Sequence, residues 1–114
     1  MVIQQGEIWW AELPEPRGSE PGFRSPVVVV QGEAFNRSRI NTILCVTISS
    51  NLRLADAPGN VLLPVSQSNL PKESVANVSQ VITLDRTFLT ERVGSLPPGL
   101  LRAILDGILL ALGM

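Results

Sequence analysis

At 114 residues, 45% of them hydrophobic, the chain is long enough for one buried core and too short for two, so a single domain over residues 1–114 is expected. Nine cations against ten anions leave a formal net charge of −1, which argues against the broad basic footprint of a protein that holds long nucleic acid non-specifically. The absence of histidine removes the usual general base and the usual zinc ligand together, so metal and triad chemistry are poor expectations and no cofactor is expected.

The first predicted element is a strand over Gly6 to Leu13, with Trp9 and Trp10 on opposite faces and one of them packed inside. Either ring can stack on a base, but strand tryptophans are more often structural, and that is the reading taken for both. Pro14 to Ser25 is dense in proline and glycine and reads as a loop, unusually long for a compact domain and of the size that commonly serves function. Pro26 opens Val27-Val28-Val29-Val30-Gln31, a β-branched run that predicts a strand buried on both faces.

Asn41 to Ser50 predicts the next strand, with Ile43, Cys45, Thr47 and Ser49 on one face and Leu44, Val46 and Ile48 on the other. Cys45 is alone, so it can form no internal disulfide, and its apolar neighbours give it the part of a small buried hydrophobe. Pro58-Gly59-Asn60 is a turn into Val61-Leu62-Leu63, and Ser74 to Leu84 supplies a further strand, about five in all. Asp85 to Arg92 is compatible with a helical turn capped by Asp85 or with a short strand.

From Pro97 onward Leu101, Ile104, Leu105, Ile108 and Leu112 follow helical spacing, with Arg102 and Asp106 as an i,i+4 pair. Leucines run nearly all round this helix, so a barrel, a second subunit or both must cover it. No apolar stretch reaches the roughly 20 residues that span a bilayer and no export signal opens the chain, so a soluble, cytoplasmic protein without a membrane partner is expected. Several short strands and one terminal helix make the fold mainly β with a terminal helix, a small bent antiparallel barrel.

Eight of the nine cations are arginine, the exception being Lys72, and arginine suits bidentate phosphate recognition, which keeps a local phosphate site open. Read in order, Gly6-Glu7-Ile8-Trp9-Trp10, Gly18-Ser19-Glu20, Pro26 to Gln31, Ala34-Phe35-Asn36, Ser49-Ser50-Asn51, Pro58-Gly59-Asn60-Val61, Ser74-Val75-Ala76-Asn77 and Leu89-Thr90 resemble the MazF/PemK toxins across essentially the whole chain. The resemblance implies an SH3-like barrel of the CcdB/MazF/PemK type that forms a homodimer. It further implies metal-independent cleavage of single-stranded RNA at short motifs, through attack of a 2′-hydroxyl on the adjacent phosphate to give a cyclic phosphate. A cognate, MazE-like antitoxin is the implied second partner.

On this resemblance Arg24, Ser25 and Ser49 are the candidate catalytic residues, and Gly18, Ser19, Glu20, Thr47, Ser50 and Asn51 the candidate RNA-binding ones. Arg24 is assigned phosphate binding and transition-state charge, because a guanidinium does not act as a base. Two positions depart from the family pattern. Ser25 stands directly before Pro26, where the family carries arginine, and Ser49 stands where it carries threonine. Arg24 lies one step from Ser25 and so points to the other face of an extended chain unless the loop bends. Losing one preorganised charge-stabilising donor costs about a hundred- to a thousandfold in rate, so a weakened or inactive member that binds RNA or antitoxin without cutting is the alternative. A gyrase-poisoning toxin on the same barrel is a third reading, because fold does not fix function.

Overall fold

The computed structural model describes residues 2–13 and 23–114. Six strands, β1 (Glu7–Leu13), β2 (Phe23–Val29), β3 (Thr42–Ser49), β4 (Val61–Leu63), β5 (Ser74–Asp85) and β6 (Leu89–Ser95), form one antiparallel sheet in the order β4-β5-β3-β2-β1-β6. Three helices accompany it, α1 (Glu33–Asn36), α2 (Val65–Ser68) and the terminal α3 (Pro98–Ala111). The mainly β fold with a terminal helix is therefore present as a half-barrel.

Strand alternation divides the core in two. Ile8, Val28, Val46, Ile48 and Val78 face α3, whose Ile104 is fully buried among them together with Leu63 and Leu96. Trp9, Ala11, Val27, Val29, Ile43 and Cys45 fill the other face. The valine run is thus buried on both sides, as its composition predicts, and each fully buried valine or isoleucine contributes about 1.5–3 kcal/mol. Burial pushes the Cys45 thiol up to about 12, which makes it an inert core residue.

The two edges of the sheet are drawn together by the segment after β4. Asn69, in the left-handed conformation at the end of α2, donates through Nδ2 to the Val93 carbonyl of β6 at 2.9 Å. After β6, α3 starts on Pro98, whose missing N–H costs nothing in the first turn. Further along, its Gly107 meets the Gly59 turn backbone to backbone: a Cβ on Gly107 would lie 2.2 Å from the Gly59 carbonyl oxygen. That contact seats the turn whose Asn60 accepts from the Val78 amide at 2.9 Å and so fixes the middle of β5. The i,i+4 pair Arg102–Asp106 forms on the exposed side, N to O 3.6 Å.

Asp85 to Arg92 proves to be both alternatives in succession. Asp85 accepts from the Thr87 amide at 2.9 Å and caps a single 3₁₀ turn over Arg86–Phe88, after which β6 adds a sixth strand to the five expected. The extended preference around Thr90 wins as soon as the β1 ladder offers partners for its neighbours, Leu89 opposite Ala11 and Glu91 opposite Trp10. Strand β2 begins at Phe23, so the last three residues of the expected loop are paired with β1, while residues 14–22 lie outside the described residues. Among the described residues no helix is long and apolar enough to cross a membrane.

Candidate active site

The site grows from one proline and one bulge. Pro26 has no N–H to give, so it sits where β2 pairs with β1 alone: the ladder between β2 and β3 stops at Val27 opposite Thr47. Beyond that point the two strands carry Ser25 and Ser49 on diverging ends. On the other side of β3 the register with β5 jumps, from Val46 opposite Val81 to Thr47 opposite Asn77, leaving Val78, Ser79 and Gln80 as a bulge. Thr47 therefore stands between a splay and a bulge, and it is buried and donates through Oγ1 to Gln80 Oε1 at 2.9 Å.

An open groove of about 760 Å³ occupies this gap. Ser25, Thr47, Ser49, Ser50 and Asn51 all line it, so five of the sequence candidates converge although they come from two strands and a loop. Ser49 Oγ accepts from the Asn51 amide at 3.0 Å, which orients the hydroxyl and leaves its proton to donate outward. The Asn51 side chain accepts from the Arg53 amide at 3.2 Å and caps the following 3₁₀ turn, fixing the groove's rim.

Arg24 is placed apart from these residues. The chain does bend just before it, Phe23 taking a φ of 57°, yet Arg24 keeps to the face of Pro26, opposite Ser25. Its guanidinium lies 4.5 Å above the Trp10 ring and 2.8 Å from Glu91 Oε1, and it does not line the groove. Trp10 itself does line it, whereas Trp9 is buried with Nε1 donating to Glu7 Oε1 at 3.1 Å. The structural reading thus holds for Trp9, and Trp10 is a wall of the groove. Gly18, Ser19 and Glu20 lie outside the described residues.

Every described residue lining the groove is uncharged except Lys72, and among the described residues no three of His, Cys, Asp and Glu are grouped to hold a metal ion. Such a surface offers hydroxyl and amide donors and one ammonium, with no carboxylate among its described residues to repel an anion. It is suited to a phosphodiester strand.

The family model described as PemK-like, MazF-like toxin of type II toxin-antitoxin system matches residues 4–112. The chain belongs to this toxin family. It is 45% identical over 108 residues, 95% of each chain, to endoribonuclease MazF2 of Mycobacterium bovis. A MazF crystal structure from Deinococcus radiodurans superposes with a TM-score of 0.81 at 23% identity, over 100% of this chain and 99% of that one. A mycobacterial endoribonuclease solved with its cognate antitoxin gives 0.79 at 21% identity, over 98% and 96%.

For this PemK-like, MazF-like toxin, sequence reasoning missed Lys72, Asn77 and Gln80 as groove residues. A signal was present: the apolar positions Val75, Val78, Val81 and Ile82 do not keep a period of two, and a strand whose alternation breaks carries a bulge. The change of face is visible in the core, where Ala76 and Val78 lie with α3 while Ile82 and Leu84 lie on the opposite face.

Proposed function

We propose that this chain is the toxin of a type II toxin–antitoxin pair and acts in the cytoplasm as an endoribonuclease on single-stranded RNA. The observation that carries the reading is the convergence of Ser25, Thr47, Ser49, Ser50 and Asn51 on one groove whose described lining holds no carboxylate. The RNA strand lies along the splayed ends of β2 and β3 with its scissile phosphate beside Ser49. A new bond forms between the 2′-oxygen and phosphorus, and the bond from phosphorus to the 5′-oxygen breaks. The 2′-hydroxyl proton passes to water, the leaving oxygen takes a proton from water, and the products are a 2′,3′-cyclic phosphate and a 5′-hydroxyl. Ser49 holds the phosphate or the attacking hydroxyl in line, and Ser25 donates to a non-bridging oxygen.

Arg24 contributes from the rim, over Trp10, by contact with the strand beside the scissile phosphate. The 114 residues work as one toxin domain in a homodimer, consistent with the exposed apolar side chains Leu110, Leu112 and Met114 at the end of α3. An acidic, extended segment of an antitoxin suits the same groove, since the one charged side chain among the described residues of its wall is a cation.

Ser25 favours a second reading, a member that binds RNA or antitoxin without cutting, because a serine cannot stabilise phosphorane charge as arginine does. Incubating the protein and its Ser25→Arg variant with a long mixed-sequence RNA in EDTA, and mapping the ends, separates the two. Cuts by the unaltered chain at one short motif, leaving 5′-hydroxyl ends, are expected. Cuts by the variant alone establish the binding member, and no cuts by either, with no binding of single-stranded RNA, overturn both readings.

A further inference from the structure

The reaction proposed above concentrates negative charge on a phosphorus centre, and the groove must answer it with something. Ser25, Ser49, Thr47 and the amides beside them are neutral. Lys72 is the one charged side chain among the described residues of the wall. It is also unspent: the ion pairs of the described residues are Arg24–Glu91, Arg92–Glu7 and Arg102–Asp106, and none involves Lys72. Its neighbour Glu73 accepts a hydrogen bond from the Val65 amide and forms no ion pair with Lys72.

The backbone at Lys72 is fixed. Its carbonyl accepts from Ser74 Oγ at 2.9 Å, immediately before β5 begins. Three residues further on, Val75 is the partner of Ser49 in the β3–β5 ladder. An ammonium on a four-carbon stem is thereby anchored at the end of the strand that lies against Ser49, within the same groove. Lysine binds phosphate as a point charge and needs no bidentate geometry, which suits a mobile stem reaching over an open site.

We propose that Lys72 is a catalytic residue of this toxin: its ammonium contacts the scissile phosphate and carries the charge stabilisation that no other side chain of the described wall supplies. The proposal rests on the endoribonuclease reading, and the test separates the two. Lys72→Ala and Lys72→Arg are compared with the unaltered chain in cleavage of a single-stranded RNA. The same three proteins bind an oligoribonucleotide 2′-O-methylated throughout, which cannot be cut, over a range of salt. Lys72 is exposed, so unchanged melting curves are expected for both variants.

The expected result for Lys72→Ala is a fall in kcat of about a hundredfold with a smaller rise in KM. Lys72→Arg keeps activity within about tenfold, because the positive charge is retained. The slope of log K against log salt becomes shallower by about 0.7 in Lys72→Ala, the contribution of one phosphate contact to a single strand. Should the unaltered chain cut nothing, the salt slope decides: a shallower slope in Lys72→Ala leaves Lys72 on a phosphate and removes only its catalytic part together with the cleavage reading. Cleavage and salt slope both unchanged in Lys72→Ala overturn the proposal.

Discussion

Two polar regions of this molecule use the same residue types to opposite ends. Beside α1, Gln31 and Asn36 are buried and point only at protein: Gln31 Nε2 donates to Asn36 Oδ1 at 2.9 Å and to the Thr42 carbonyl at 3.1 Å. Asn36 Nδ2 answers to the Gln31 carbonyl at 2.9 Å and to Glu33 Oε1 at 3.1 Å. In the groove, by contrast, Ser49 accepts one hydrogen bond and keeps its own proton, and its companions face open volume. Side-chain chemistry does not distinguish the two places. The difference comes from the backbone: beside Gln31 the Val30 and Gln31 amides still reach across to the Leu44 carbonyl, whereas beside Ser49 the strands are parted by Pro26 and the β5 bulge.

Cutting the closed network is the largest test of that distinction. In Asn36→Ala, Gln31 and Glu33 each lose a buried partner, and the chain is expected to lose about 3 kcal/mol of stability in urea unfolding. The folded fraction still cleaves RNA at the rate of the unaltered chain. A drop in specific activity with stability intact would mean that the network belongs to the site.

The converse change comes next. Ser49→Ala removes a hydroxyl that holds only an exposed backbone amide, so stability moves by no more than about 0.5 kcal/mol. Cleavage is expected to fall about a hundredfold, roughly 2.7 kcal/mol of transition-state stabilisation. If instead stability falls and the rate does not, Ser49 is a strand-end residue serving the backbone.

Much of this was legible beforehand, for physical reasons that differ between elements. The valine run Val27 to Val30 permits one conformation and two buried faces, and both are found. The spacing of Leu101, Ile104, Leu105 and Ile108 is equally unambiguous, and α3 results. Ser49, Ser50 and Asn51 were found through an ordered resemblance, since by themselves they read as strand-end residues. The broken alternation of β5 marks a bulge, but it does not say what the bulge faces: Lys72, Asn77 and Gln80 escaped because their approach to Ser49 depends on the register of β3 with β5, a tertiary quantity. The direction of Arg24, away from the face of Ser25, follows from strand alternation, but its partners do not: Trp10 and Glu91 are brought to it from β1 and β6.

The smallest effect expected is at that rim, and it bears most directly on which arginine-like charge the reaction uses. Arg24 pairs with Glu91 while both are largely exposed, an arrangement worth about 0.2–1 kcal/mol, and its guanidinium over Trp10 adds about as much again at an exposed site. Arg24→Ala is therefore expected to change stability by no more than about 2 kcal/mol and to raise KM about threefold, the loss of one screened contact to the RNA backbone, with kcat barely altered. The division of labour is read from the two constants together. A residue at the rim touches ground state and transition state alike and moves KM, whereas a residue on the scissile phosphate moves kcat. A hundredfold fall in kcat for Arg24→Ala would show that the guanidinium leaves Glu91 and enters the groove when RNA binds, and the groove would then owe its charge to the strand bearing Pro26 rather than to the segment before β5.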